Sequence, residues 1–169
     1  WNNTGAAVDF DGAAKYFLVF VNGSDDLLYS AVQLTGTVAD GEVHVVGSAT
    51  VANVDQPDIA SNGIQNGADG GLLVQCDACT DAATDFLVDD EPGTAVTWTT
   101  AGGATATKLD AVAHATSDAD DTGLWSKLGV TEQYDEAANG DKDQESVQRI
   151  GPSHWTTAPA APGATGMEP

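Results

Sequence analysis

Short apolar runs alternate with turn-forming residues along most of the chain, and this pattern predicts β-strands. The first run ends at a glycine- and aspartate-rich turn at 22–26, and the turn at Asp40 and Gly41 precedes the third run. Short strands separated by turns about every 8–12 residues are typical of an antiparallel β-sandwich. The predicted strands are 16–21, 27–34, 42–47, 72–75, 95–100 and 107–115.

One helix interrupts this pattern. It is predicted at 120–128, because Asp120 and Asp121 favour a helix N-terminus. From residue 151 onward proline and alanine dominate without periodicity, which indicates an irregular or polyproline-like segment. The chain is therefore expected to form one all-β domain over 1–150, followed by an irregular C-terminal tail over 151–169.

The charge balance narrows the classes of partner. The chain has 26 acidic and 5 basic residues and a net charge of −21. Nucleic-acid binding and docking on anionic lipid both need basic surface, so neither is expected. No apolar run reaches the length of a membrane span, so no membrane insertion is expected. Such a surface suits a saline or calcium-rich setting outside the cell or at its surface.

Several blocks resemble, in order, one known family. Residues 1–12 are similar to the element N-x-T-G-x-x-V-D-L-S-G, residues 35–47 to L-x-G-T-L-x-x-G-x-x-Y-V-V, and residues 62–73 to N-G-x-D-A-V-A-L. Further blocks lie at 109–112, 117–121, 144–149 and 161–165. Together they resemble the lamin-tail domain of secreted microbial proteins, in the subgroup often found beside extracellular nucleases and phosphatases. The resemblance implies an immunoglobulin-like β-sandwich.

The chain departs from that family at one place. Members usually have a further strand before the residues that match Trp1, and this sequence lacks it. Either the strand lies upstream in a longer gene product, or another chain fills its place. An unfilled place would leave an exposed sheet edge, which natural proteins avoid. A strand donated by a neighbouring copy would give head-to-tail polymers.

Cys76 and Cys79 are the only cysteines. A short structural disulfide in an oxidising compartment is the preferred interpretation, and a redox pair or a zinc site are the alternatives. The carboxylates of Asp77, Asp81 and Asp85 disfavour a reactive thiolate, and no second Cys/His pair has zinc-ligand spacing.

Two N-x-Ser/Thr sequons, at Asn2 and Asn22, are candidate glycosylation sites. They fit a secreted surface, although such triplets are common by chance.

Two acidic clusters are candidate Ca²⁺ ligands. One contains Asp118, Asp120 and Asp121, and the other contains Asp141 and Asp143. Neither cluster fits the EF-hand loop. The alternative is a solvated acidic face and a helix N-terminus.

No catalytic motif accompanies these features. His44, expected on the outer face of a strand, His114 and His154 are scattered, and no nucleophile elbow, zinc-protease motif or phosphate-binding loop is present. The sequence therefore predicts no enzyme, no catalytic residue and no required cofactor, with Ca²⁺ as a stabiliser.

The predicted function is that of a non-enzymatic extracellular module that builds or decorates an assembly. Its expected partners are other protein chains, above all copies of itself, in a filament held by strand donation. Two alternatives remain: an accessory domain of a secreted nuclease or phosphatase, and an acidic matrix protein that binds Ca²⁺ or mineral.

Overall fold

The structure is a computed structural model that describes residues 1–24, 27–65, 68–79, 97–100, 102–115, 122–131, 133–135, 145–151 and 154–159. The elements within these ranges are β1 (Val8–Asp9), β2 (Tyr16–Asn22), β3 (Leu27–Gln33), β4 (Thr37–Val38), β5 (Asp69–Gln75), β6 (Thr97–Thr99), β7 (Thr105–Ala115), α1 (Thr122–Leu128), β8 (Gln133–Asp135), β9 (Glu145–Gly151) and β10 (His154–Pro159).

The main sheet has six strands in the order β3-β2-β5-β7-β6, with β8 also paired to β7. β6 and β8 share the edge of β7 that faces away from β5. All pairs are antiparallel except β7–β8, which is parallel. The sheet is therefore mixed, and the expectation of a purely antiparallel fold is corrected. Parallel neighbours need a crossover, and the connection that contains α1 supplies it.

Two small sheets accompany the main one. β1 pairs with β4 through Val8–Val38 and Asp9–Thr37, and β9 pairs with β10. β10 lies in the segment predicted to be irregular, so that prediction is wrong for 154–159. The residues before the proline- and alanine-rich run include Trp155, Thr156 and Thr157, types that favour strands. Residues 160–169 lie outside the described residues.

One face of the main sheet forms the core, because alternate residues of the strands point to it. α1 covers this face with two fully buried side chains, Leu124 and Leu128. Burying such a side chain contributes about 1.5–3 kcal/mol. The buried sheet residues beneath the helix include Phe17, Val19, Val21, Leu72, Val74, Ala111 and Ala113.

α1 approaches β5 closely where the strand has a glycine. A Cβ atom added at Gly70 would lie 2.5 Å from Cδ1 of Leu128. The helix ends at the same place, where the Lys108 ammonium of β7 donates a hydrogen bond to the Leu128 carbonyl. A cation at this point also interacts favourably with the negative end of the helix dipole. The helix lies within the range predicted from sequence.

Five of the predicted strands correspond to strands of the main sheet, but the predicted strand at 42–47 does not form. Only an isolated parallel bridge between Val46 and Gln56 is present there. Residues 42–47 lack a continuous partner along either edge.

We expect Gly70→Ala to lower the free energy of unfolding by about 1–3 kcal/mol, because the new methyl group overlaps the Leu128 side chain. Gly71→Ala is the matched control. Its Cβ would make an ordinary 3.7 Å contact with Val112, so its effect should stay within about 1 kcal/mol. Urea unfolding followed by circular dichroism measures both, and equal losses would contradict the close approach of α1.

Candidate functional site

A cleft of about 420 Å³ lies on the face of the main sheet opposite the core. Its floor includes Tyr16, Leu18 and Leu73, which are half-buried, and its walls come from the N-terminal residues and from the segment 34–46. Aromatic side chains dominate one side. The Phe10 ring packs edge-on to Tyr16, with centroids 5.6 Å apart, and is tilted against His44 at 5.3 Å. The lining is mainly apolar, as is usual for binding clefts.

The buried amide of Asn2 holds the N-terminal wall in place. Its Nδ2 donates to the carbonyls of Ala6 (2.8 Å) and Val38 (2.9 Å), and its Oδ1 accepts from the N–H and the hydroxyl of Thr4. Asn2 is only 8% exposed, so losing these partners would leave buried polar atoms unsatisfied. A glycan attached to Nδ2 would replace one of these two donated hydrogen atoms. The contacts therefore argue against glycosylation of Asn2.

The buried amide of Gln56 holds the other wall. Its Nε2 donates to the Gln33 carbonyl at the end of β3 (2.6 Å) and to the Asp58 carboxylate (2.8 Å). Its Oε1 accepts from the N–H of Thr35 (3.0 Å) and lies 3.3 Å from Nε2 of His44. Because Oε1 can only accept, His44 donates from Nε2. One side chain therefore connects the segment 33–35, the cleft residue His44 and the loop after residue 50.

A bulge joins the two walls. The N–H of Asn2 donates to the Glu42 carbonyl (2.8 Å), and the N–H of Gly41 donates to the Asn2 carbonyl (2.7 Å). Gly41 has a φ of 82°, the left-handed conformation that this type of bulge requires of its first residue. Gly41 and Glu42 thus stand opposite the single residue Asn2, and these two bonds hold the two segments side by side.

Residues 43–46 continue past the bulge and are bonded along one side. Since every second residue of an extended chain faces the same side, the N–H and C=O groups of His44 and Val46 point away from those of Val45. Within the described part of the chain, the N–H and C=O groups of these two residues have no hydrogen-bond partner. Val45 between them is satisfied from the other side, because its N–H donates to the Asp55 carboxylate and its carbonyl accepts from Asp55 and Gln56.

His44 does not lie on an outer strand face, as the sequence suggested. It packs against Phe10 inside the cleft, and its Nδ1 lies 4.0 Å from Oδ2 of Asp55. The other predicted histidines are elsewhere: His114 lies near the end of β7, and His154 begins β10.

Cys76 and Cys79 form a disulfide, with their Cα atoms 5.5 Å apart. Both side chains are buried within the core cluster rather than in an exposed turn. This buried position fits a disulfide with a structural role.

The candidate Ca²⁺ ligands Asp118, Asp120, Asp121, Asp141 and Asp143 lie outside the described residues. Among the residues that are described, no group of three or more potential metal ligands occurs. The other sequon residue, Asn22, ends β2, and its Oδ1 accepts from the N–H of Ser24. Glycosylation at Asn22 stays a prediction.

A buried carboxyl that sequence analysis missed lies at the first residue of β5. Asp69 is 1% exposed and pairs in register with Asn22 on β2 and His114 on β7. Burial raises the pKa of Asp69 to about 6, and a hydrogen bond from the Gly23 backbone opposes this only in part. Its Oδ2 has no hydrogen-bond partner among the described residues. Only burial distinguishes this aspartate from the 19 others, so no sequence pattern could have identified it.

Within the described residues, no helix has the length and apolar character needed to cross a membrane. No protein-family model, curated protein or solved structure matches the chain.

We expect stability to fall as the pH rises from about 4 to about 6, and Asp69→Asn to remove part of that fall. The folded state holds the Asp69 proton up to about pH 6, while the unfolded chain releases it near 3.8, so the folded state binds more protons in this window. At pH 7 the variant should be more stable by about 2 kcal/mol.

Glu42→Gln is the matched control, because it removes one negative charge from an exposed side chain. Urea unfolding at several pH values between 4 and 8 measures both variants. An Asp69→Asn curve parallel to that of the unmodified protein would contradict the costly burial of this carboxylate.

Proposed function

We propose that the chain is a non-enzymatic structural module of an extracellular or cell-surface assembly, with other protein chains as partners. The observation that carries this proposal is the apolar cleft of about 420 Å³ on the face of the main sheet opposite the core. Exposed apolar surface rimmed by polar residues marks sites of protein–protein interaction. Partners that bind as extended segments, as in strand donation, can use such a surface.

The polar side chains of the cleft support a structural role. Asn2 and Gln56 direct their amides to loop carbonyls, N–H groups and side chains of the same chain. They act as clamps that shape the walls. The rest of the lining is mostly aromatic and aliphatic, with Thr4, His44 and Gln75 as further polar side chains.

The finer assignment of the fold belongs to the proposal as well. We infer an immunoglobulin-like sandwich of the lamin-tail type, in which the small sheets and loop walls form the second layer. The β-rich architecture supports this, and so does the pairing of the block at 1–12 with the block at 35–47 through Asn2, Gly41 and Glu42.

Polymerisation by strand donation must overcome electrostatic repulsion. Two copies with a net charge of −21 each repel strongly at low ionic strength. Monovalent salt screens this repulsion, and Ca²⁺ can also bridge carboxylates. We therefore propose Ca²⁺ as a stabiliser of the assembly. The same acidity favours the alternative of a Ca²⁺- or mineral-binding matrix protein.

The native mass measured by light scattering tests the proposal. In physiological salt with millimolar Ca²⁺ we expect large, open-ended species. In NaCl of matched ionic strength we expect a smaller increase in native mass. The NaCl arm separates general screening from bridging by Ca²⁺. A 17.2 kDa monomer under every condition would overturn assembly through copies of the chain.

A further inference from the structure

We propose that the contacts around His44 form a pH-sensitive device, which holds one wall of the cleft more firmly when the imidazole ring takes up a second proton. The contacts join His44 to Phe10, Asp55 and Gln56, and these four residues are called the His44 cluster. The inference goes beyond the proposed assembly function and does not depend on it, because all of these contacts lie within one chain.

Both ring nitrogens of His44 face an atom that accepts hydrogen bonds. Nε2 lies 3.3 Å from Oε1 of Gln56, and Nδ1 lies 4.0 Å from Oδ2 of Asp55. A neutral imidazole donates from only one of its nitrogens, whereas the doubly protonated ring donates from both. Only the protonated ring therefore interacts favourably with both acceptors at once.

The contacts of Gln56 determine where the neutral ring carries its proton. Nε2 of Gln56 donates to the Gln33 carbonyl and to the Asp58 carboxylate, so Oε1 is the atom that is turned towards His44. An amide oxygen only accepts, and this places the proton of the neutral ring on Nε2. The lone pair of Nδ1 then faces the Asp55 carboxylate. These two atoms repel each other until Nδ1 gains a proton, and they attract each other afterwards.

The surroundings of the ring are in place before it becomes charged. Oδ2 of Asp55 is held by the N–H of Val45 at 2.8 Å. The Phe10 ring lies 5.3 Å from the His44 ring, within the distance at which an aromatic ring attracts a cation. Burial of the ring opposes the charge, since the His44 side chain is only 14% exposed, and solvent weakens the attraction of the half-exposed Asp55. The net effect is therefore moderate.

Other carboxylates near the cluster are engaged elsewhere. Among the described residues of the neighbouring segments, they accept from main-chain N–H groups or from the Gln56 amide, and they are Asp9, Asp11, Glu42 and Asp58. Tyr16, a titratable side chain of the cleft floor, packs against Phe10. Asp55 is therefore the carboxylate that acts on Nδ1.

The second proton strengthens the attachment of residues 43–46. This segment brings His44 and Val46 into the lining of the cleft, and Val45 bonds it to the loop at 55–56 through both of its main-chain groups. The proton adds an ion pair to the same loop and an attraction to Phe10 on the opposite wall. The closed cluster thus binds the proton better than an opened one, so lower pH favours the closed cluster. Because histidine changes charge between about pH 5 and 8, the wall is held more firmly in mild acid.

NMR of the His44 ring nitrogens tests the arrangement directly. At pH 8 the neutral ring should carry its proton on Nε2, and acidification should add the second proton to Nδ1. A neutral ring that carries its proton on Nδ1 overturns the proposal, because Nδ1 would then already donate towards Asp55 and the second proton would add no contact with it.

Amide hydrogen exchange of Val45 measures how firmly the wall is held, because its N–H is bonded to the Asp55 carboxylate. Protection is corrected for the intrinsic exchange rate and compared between the unmodified chain and His44→Gln. From pH 8 to pH 5.5 it should rise about threefold more in the unmodified chain, the size expected of an ion pair with a half-exposed partner. Asp69 titrates in both proteins, so its effect on global stability cancels in the comparison. An equal rise in both overturns the proposal.

Two further variants assign the effect to one pair of side chains. Asp55→Asn removes the charge that faces Nδ1 but keeps an oxygen for the Val45 N–H, and it should abolish the additional rise. Asp58→Asn is the matched control, because it removes a neighbouring charge and keeps an oxygen for the Gln56 amide. It should retain the rise. Equal losses in the two variants overturn the assignment, since the effect would then come from the general negative charge of the chain.

None of these measurements depends on the native mass of the protein. A chain that stays monomeric in the light-scattering test can still show the rise in Val45 protection, and a chain that assembles can lack it. Failure of the assembly proposal and failure of this inference are therefore distinguishable.

Discussion

Two buried side-chain amides determine the shape of the cleft. Asn2 and Gln56 satisfy main-chain groups of loops that have few partners in regular secondary structure. Buried N–H and C=O groups must be hydrogen-bonded, and where a loop lacks main-chain partners it meets this requirement through such side chains or through water. Each amide connects segments that are distant in sequence. The walls of the cleft therefore keep a defined separation from the main sheet, although their strands β1 and β4 have only two residues each.

Repulsion between carboxylates destabilises the compact, folded state of this chain. Most of the 26 carboxylates can remain in water, where salt reduces their mutual repulsion. Asp69 is different because the strand register places it between Asn22 and His114 at the end of the sheet. Above about pH 6 the buried Asp69 is ionised in the folded state, and this lowers the free energy of unfolding. The acidic surface and the buried carboxyl thus change stability in the same direction, since both make the folded state more stable at lower pH.

Sequence periodicity predicts the strands whose two faces differ in burial. β2 was predicted from its continuous apolar run, because one face of the strand lies in the core and the other face forms the floor of the cleft. β5 was predicted only from residue 72 because Gly70 and Gly71 are poor strand residues in isolation. The structure explains Gly70 by the approach of Leu128, a tertiary contact that no local pattern encodes. β8 has only three residues and no periodicity that could have been recognised.

The candidate site was only partly accessible from sequence. Residues 1–12 and 35–47, two of the blocks quoted for the resemblance, meet at the cleft. The resemblance did not single out Gln56, because a glutamine in a loop carries no signal until its partners are known. The residues proposed for Ca²⁺ lie outside the described part of the chain, and Asn2 is used as a structural clamp. Burial and hydrogen-bond partners, rather than residue types, distinguish a clamp from a ligand.

The loop at 55–56 holds residues 43–46 from one side. Val45 bonds to the loop at 55–56 on one side, and this fixes the chain in an extended conformation. An extended chain that is satisfied on one side must present the alternate residues, His44 and Val46, on the other. The backbone entropy of ordering that strand has thus already been lost within the folded chain.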